Sequence, residues 1–477
     1  MQIPRNSRSM TIAFLGAICV RYLFHEITNF TFDDAFITYR YAENLAAGLG
    51  FVYNAGERVL GTTTPLFTLL LSSASILGLP VPAAALAITL TASGITAALL
   101  LRFATLAGFE RLSFVPVIVY VFFPRLLPID TGGMETTLFT LMATAAFYFQ
   151  QRQLPVKAIG LAAAATLVRP EGLLILFVLI AFLALKEVRL ALVATLTALL
   201  ILLPWVIFAW LYFGSPVANS IGAKLALYYR VWASPAWDNF LFIMGLHNPL
   251  GCVLFFLALV GGFWLLARRR FGYLESIWML ISIMSLTFSS VLIFRWYVAP
   301  IYPIYILFAS ATLPALVGRW QRLRRLISPA GRLLTAAAMI AALAAANYST
   351  VINYRHEWDF LSGIQSEIVE YLQANADPLD VVATEDLGYV GYYSGFRMLD
   401  RAGLISPEAI PFNRRGDYMG LIMAVRPEWL VISPWDPTSQ FLDSSGFRLA
   451  YEYRKTVASP LGDTWSFNVY RRIDRGR

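Results

Sequence analysis

The sequence is short of charge. Only 14% of its 477 residues are Asp, Glu, Lys or Arg, where a soluble domain carries about a quarter. That scarcity excludes an ordinary soluble enzyme of this length. Cysteine is nearly missing as well: Cys19 and Cys252 are the only two, and both lie in apolar runs. A disulfide framework and a thiolate metal centre are thereby excluded. The three histidines, His25, His247 and His356, are isolated from one another, with no spacing suited to zinc. No internal repeat of the kind common in transporters is visible, and there is no low-complexity linker. Acid is the scarcer sign of charge, which leaves a net +8. The basic residues form short clusters between apolar runs, so they suit cytoplasmic loops and not a nucleic-acid surface.

What is abundant is apolar surface: 58% hydrophobic residues and a mean hydropathy of +0.63. The reading is a polytopic α-helical membrane protein. Apolar segments fall near 9–24, 63–79, 82–107, 113–129, 134–150, 156–168, 171–186, 190–211, 241–267, 273–293, 297–317 and 332–348. The first has no small-residue cleavage site behind it and reads as an uncleaved span. Charge tests the count. Arg5 and Arg8, the run Arg268-Arg269-Arg270, and the stretch Arg319, Arg322, Arg324, Arg325 and Arg332 should all be cytoplasmic. If every segment crossed, the two later clusters would face outward. Demoting 63–79 to an interfacial or re-entrant helix repairs the parity. That segment is flanked by Pro65 and Pro80 and interrupted by Ser72, Ser73 and Ser75. About eleven spans remain.

This topology divides the chain into a membrane domain at 1–348, with a first outer loop at 25–62, and an outer tail at 349–477. In the tail, E-I-V-E-Y-L-Q-A-N reads as a helix. V-V-A-T-E, E-W-L-V-I-S and T-W-S-F-N-V-Y read as strands. The tail is expected to be a small extracytoplasmic α/β domain.

Two adjacent acids, Asp33 and Asp34, open that first outer loop in F-D-D-A-F-I-T-Y-R-Y-A. Thr31 and Asp34 have capping-box spacing. Ala35, Thr38, Ala42, Leu45 and Leu49 then follow at helical intervals, giving an amphipathic helix along the membrane surface that ends at Gly48 and Gly50. The plain reading is that acids suit the first turn of a helix. The chemical reading is a general base: a carboxylate in a dry cleft beside a like charge has a raised pKa and works nearer neutral pH.

The stretch F-D-D-A-F-I-T-Y-R-Y-A-E-N-L-A-A-G-L-G-F-V-Y-N-A-G-E-R-V resembles the first outer loop of GT-C membrane glycosyltransferases, most of all the arabinofuranosyltransferase-like branch. The resemblance implies an inverting enzyme of a bacterial-type cytoplasmic membrane. It would move a sugar, arabinofuranose among the options, from a polyprenyl-phosphate donor to a glycan, glycolipid or protein acceptor on the outer face. It also implies that Asp33 is the base and Asp34 its neighbour, although the sequence does not separate the two.

The branches that carry a basic or His-Pro element before the next helix have Thr62-Thr63-Thr64-Pro65 here, so other groups must hold the donor phosphate. Cations and amide or hydroxyl donors suit that task. Asn219 and Lys224 lie in G-S-P-V-A-N-S-I-G-A-K, which is similar to an element of the same relatives; a snorkelling lysine is the alternative. Arg295 could pair with phosphate or anchor its helix beside Trp296. Arg58 adjoins Glu57, and an ion pair within the loop is the simpler account of it. Glu135, in T-G-G-M-E-T-T, is a second acid or a helix-start acid. Arg169 and Glu171 either neutralise one another or touch substrate. No cofactor is required: a monophosphate leaving group carries modest charge. A divalent cation on Asp33, Asp34 and Glu135 is the alternative, since hard ions take such oxygens. Tyr389, Tyr392 and Tyr393 read as domain core before they read as a sugar platform. Two rival functions stand beside the enzyme: a multi-span lipid or glycolipid flippase, and a non-catalytic envelope scaffold.

Overall fold

The computed structural model describes residues 7–109, 112–231, 234–267, 272–289, 292–320, 329–458 and 466–473. The basic run 268–270 and the arginines at 322, 324 and 325 lie outside the described residues. The chain is a polytopic α-helical protein with a small sheet near its carboxyl end. Among the described residues, helices α1 (Ser7–Thr28), α4 (Val81–Leu106), α10 (Val188–Phe213) and α13 (Pro249–Ala267) are long and apolar enough to cross a membrane alone, as is the run Arg295–Pro314. Four shorter apolar helices accompany them: α3 (Pro65–Ile76), α8 (Pro155–Val168), α9 (Gly172–Lys186) and α14 (Tyr273–Thr287). Helix α7 (Thr136–Gln151) follows its expected bounds closely.

Proline and glycine explain where helices differ from the apolar runs. The segment 113–129 is not one span. It breaks into α5 (Val115–Val121) and α6 (Leu127–Thr131), with Pro116 and Pro128 in their first turns and Pro124 between them. The segment 241–267 splits at Gly245, whose φ of 72° closes α12 (Ala236–Met244) as a left-handed cap before Pro249 opens α13. At Pro300 the chain passes through a 3-10 turn between α15 (Arg295–Val298) and α16 (Tyr302–Trp320). The last apolar run does not stop at 348. It belongs to α17 (Pro329–Asn375), a single helix of 47 residues that also contains the helix expected at the start of the tail.

Two compact units emerge from the chain. One comprises 1–29, 85–204 and 234–354; the other comprises 30–84, 205–233 and 355–477. The first unit is helical. Its most polar interior feature joins α1 to the broken helix. Arg21 Nε donates to Asp130 Oδ2 at 2.8 Å, Nη1 to the Val121 carbonyl at 2.8 Å and Nη2 to the Tyr120 carbonyl at 3.1 Å. Both partners of the ion pair are sealed from solvent. A helix ending at a proline-rich break leaves carbonyls unpaired, and in an apolar interior each must find a donor. Arg21 supplies two. Ser93 Oγ and Thr137 Oγ1 complete the shell of Asp130, each at 3.0 Å.

The second unit contains α2 (Asp33–Ala46), α3, α11 (Asn219–Val231) and the sheet. Strands β1 (Val381–Thr384), β2 (Arg397–Asp400), β3 (Trp429–Ile432), β4 (Tyr451–Ala458) and β5 (Ser466–Arg472) pair in the order β2-β1-β3-β5-β4. The first three are parallel; β5 runs antiparallel to both of its neighbours. Helix α18 (Gly388–Ser394) links β1 to β2. Strand side chains alternate between two apolar layers. Val382, Trp429 and Val431 enter a layer with Ile368 and Leu372 of α17, and Ala383, Leu430 and Ile432 enter another with Phe447. The three expected strands form where β-branched and aromatic residues cluster; β2 and β4 are additional.

Candidate functional site at the carboxyl edge of the parallel strands

Helix α2 begins at Asp33, one residue later than a Thr31 cap requires, and Phe32 at its N-cap makes no side-chain bond. The capping-box expectation is therefore corrected: neither Thr31 nor Asp34 caps this helix. The end is as expected, with positive φ at Gly48 and Gly50.

Asp33 and Asp34 have different fates. Asp33 Oδ2 accepts from the Gly388 amide at 2.9 Å, and Oδ1 accepts from the Tyr389 amide at 2.8 Å and from Gln365 Nε2 at 3.1 Å. These three hydrogen bonds tie both carboxylate oxygens to the loop into α18 and to α17. Gly388 has to be glycine, because a Cβ there would lie 1.9 Å from the Asp33 carbonyl oxygen. Burial raises the pKa of Asp33 against the Tyr389 and Gly388 amides, with the Asp34 charge adding to the rise. Asp34, half-buried on the next position, makes no hydrogen bond or ion pair among the described residues.

The rest of the loop is fastened in the same way. Arg40 donates to the carbonyls of Tyr53 at 3.0 Å and Phe396 at 2.7 Å, and also to that of Gly391. Asn54 exchanges two hydrogen bonds with the backbone of Met398, at 2.8 and 3.0 Å. Tyr53 Oη donates to the Leu387 carbonyl at 2.9 Å, and a Cβ on Gly391 would meet that same hydroxyl. Phe36 is ringed by Tyr389, Tyr392 and Tyr393, with centroids 5.3 to 5.5 Å away. These tyrosines pack on one another and on Phe36 but are not the buried core expected of them: Tyr389 and Tyr392 are half-buried and Tyr393 is exposed.

Of the other candidates, Asn219 is spent on structure: its amide donates to the Gly403 and Leu404 carbonyls at 2.6 and 2.9 Å. Lys224 lies one turn along α11. Arg58 does not pair with Glu57. Glu57 instead meets Arg397 at 2.6 Å, because the edge of β2 brings a second guanidinium to it. Arg58 lies exposed over the ring of Tyr212, 4.6 Å from its centroid. In the helical unit, Arg169 bridges Glu135 at 2.7 Å and Glu171 at 2.8 Å, so the two acids engage the one guanidinium. Arg295 in the same unit lies over Tyr354 and bonds to its hydroxyl. Asp33, Asp34, Arg58, Asn219 and Lys224 thus share one unit, while Glu135, Arg169 and Arg295 belong to the other.

Sequence reasoning passed over a polar group at the carboxyl ends of β1, β2 and β3. Glu385 and Asp386 follow β1, Asp400 and Arg401 close β2, and Ser433 and Asp436 follow β3. Arg401 donates to Thr438 Oγ1 at 2.8 Å and forms an ion pair with Asp436. Burial pushes Glu385 up to about 7, with Arg401 opposing. Burial likewise pushes Asp400 up to about 6, against four backbone amides that it faces. Asp386 is raised well above the usual carboxylate range, by burial first and then by the charges of Asp33 and Glu385. The signal was readable: an acid pair directly after a predicted strand and before a glycine marks the strand-to-helix turn where α/β sheets bind ligands. Among the described residues no group of acids, histidines or cysteines is arranged to hold a metal.

Residues 349–470 match a family model described as a domain of unknown function, DUF8728. No curated protein matches the sequence. Two crystal structures of ArnT from Cupriavidus metallidurans, one bound to undecaprenyl phosphate and one in the apo state, are similar to nearly the whole chain. Each gives a TM-score of 0.63 at 13% identity over 97% of this chain and 98% of that one. The chain therefore has the GT-C fold that its first-loop motif resembles, with a carboxyl-terminal sheet domain.

Proposed function

We propose that the chain is an inverting glycosyltransferase that takes a sugar from a polyprenyl-phosphate donor, with Asp34 as its general base. The observation that carries this reading is the split between two adjacent acids: Asp33 has three hydrogen-bond donors, and Asp34 has a carboxylate left for chemistry. The likeness to ArnT, whose crystal structure holds undecaprenyl phosphate, supports the donor class. In the reaction an acceptor hydroxyl oxygen attacks the anomeric carbon as the bond from that carbon to the phosphate oxygen breaks. The phosphate leaves with the electron pair, and Asp34 takes the hydroxyl proton. Asp33 fixes the start of α2, which holds Asp34 in place. Arg58 lies over Tyr212 with neither a hydrogen bond nor a carboxylate partner among the described residues, and it is assigned to the donor phosphate with Lys224. The resemblance also supports an outer-face site in a bacterial-type inner membrane, with a cell-envelope acceptor and arabinofuranose among the sugars. No metal enters the scheme.

The test is transfer of radiolabelled sugar from a panel of polyprenyl-phosphate donors, with membranes that bear the intact chain or Asp34→Asn. Loss of transfer with normal expression supports the reading. Full transfer by the variant removes Asp34 as the base, and lipid translocation without transfer would favour the flippase.

A further inference from the structure

A buried ion pair in a folded domain normally has every donor and acceptor engaged. The carboxyl edge of β1, β2 and β3 departs from that rule. Arg401 is 6% exposed and Ser433 2% exposed, yet Arg401 Nε and Ser433 Oγ have no hydrogen-bond partner. Asp386 Oδ2 is also buried without one. Arg401 and Asp386 lie close enough to feel each other's charge, but no hydrogen bond joins them. The three residues follow the ends of β1, β2 and β3, which pair side by side in parallel, so a buried donor and a buried acceptor lie unsatisfied at one edge of the sheet.

The charge of the edge narrows what could satisfy them. Glu385, Asp386, Asp400 and Asp436 surround the single guanidinium of Arg401. An anion such as phosphate finds a single cation there, and that guanidinium is already paired with Asp436. A metal ion is opposed by Arg401 itself, and no metal-holding group occurs among the described residues. A hydroxyl both donates and accepts, and so matches the unused acceptor Asp386 Oδ2 and the unused donor Arg401 Nε without adding charge. Adjacent hydroxyls of a sugar can serve several such groups at once. Glu385, only partly buried, leaves the edge within reach of a ligand. The same edge receives Asp33 through Gly388 and Tyr389, and the charge of Asp34 reaches Asp386.

We infer that the edge formed by Asp386, Arg401 and Ser433 is a binding site for the vicinal hydroxyls of a neutral saccharide, which serves as the acceptor presented to Asp34. The acceptor role rests on the transferase reading; the saccharide site does not. This gives the tail domain a function that its sheet topology is suited to perform: ligands of parallel α/β sheets lie at the carboxyl ends of the strands.

The test is direct binding to the full-length chain in lipid nanodiscs, read by saturation-transfer NMR and by thermal shift. Its probes are a panel of neutral pentose and hexose disaccharides, inorganic phosphate and magnesium chloride. The expected result is saccharide binding that weakens about tenfold for each of Asp386→Ala and Ser433→Ala, the loss of one or two hydrogen bonds. Asp443→Asn, on the exposed surface, should bind as the intact chain does, and Asp34→Asn should keep saccharide binding while losing transfer. Intact chain that binds no saccharide in the panel overturns the inference, as do folded Asp386 and Ser433 variants that bind unchanged, or binding of phosphate or magnesium alone. Saccharide binding without transfer from any donor would leave the site standing and remove only the transferase reading.

Discussion

Two buried Arg–Asp pairs occur among the described residues, and they are finished to different degrees. Arg21–Asp130, in the helical unit, has its guanidinium on two freed carbonyls and a carboxylate, and its acid on Ser93 and Thr137 as well. Arg401–Asp436, in the sheet-bearing unit, leaves Nε unused, with Ser433 and Asp386 unused around it. The first pair is a plug for a broken helix. The second is a group still able to take a ligand. The acid pair of α2 repeats the contrast within two residues: Asp33 is fully engaged and Asp34 is not. Charge in an apolar chain thus marks function only where its hydrogen-bonding capacity is left over.

The contrast is most easily broken at Arg21. Asp130→Ala strands a buried guanidinium, which costs about 3–5 kcal/mol, so the variant should melt far earlier or fail to accumulate. Adding Arg21→Met should not rescue it, because the Val121 carbonyl then loses the Arg21 donor and that of Tyr120 keeps only the Phe123 amide at 3.3 Å; a rescued melting temperature would show that the pair is dispensable. Next in size is Asp33→Ala. It leaves the Gly388 and Tyr389 amides without an acceptor, at about 1–3 kcal/mol, and hydrogen exchange at those two amides should rise well above that of the β3 amides. Unchanged protection there would contradict the anchoring role.

A smaller effect concerns pH. Glu385 and Asp400 have folded pKa values of about 7 and about 6, both above their ordinary values. The folded chain therefore keeps protons that the unfolded chain has released. Their contribution to stability is complete below about pH 4 and is lost as pH rises to about 7. Melting temperature should fall between pH 5 and pH 8, and Glu385→Gln should flatten part of that slope; an identical slope would place the titration elsewhere. The smallest effect is expected for Arg58→Ala: about a tenfold rise in KM for the donor, one charge-assisted hydrogen bond lost, with the melting temperature unchanged. An unaltered KM would release Arg58 from the phosphate.

Much of this fold was legible because apolar length and strand composition are local properties. The spans α1, α4 and α10 and the strands β1, β3 and β5 all follow from such runs. Helix breaks were harder. The three prolines near α5 and α6 were visible, but their consequence depended on Arg21 arriving from α1 to cap the freed carbonyls. The first-loop acids were legible as a pair and inseparable as individuals, since only the long-range contact with Gly388 and Tyr389 distinguishes them. Arg58 and Glu57 looked like neighbours in sequence, while Arg397, over three hundred residues away, took the acid. Asp386 and Arg401 lay in a segment whose tyrosines attracted notice, and their importance comes from what they fail to bond.

The central claim is that Asp34 does the chemistry while Asp33 holds the structure. The measurement that tests it most directly is sugar transfer together with melting temperature for Asp33→Asn and Asp34→Asn in nanodiscs. Asp34→Asn should lose transfer by about 10²–10⁴-fold, the scale of a general base, at the melting temperature of the intact chain. Asp33→Asn should melt earlier and keep most of its transfer below its own transition. The reverse pattern, with transfer abolished by Asp33→Asn and retained by Asp34→Asn, would contradict the account.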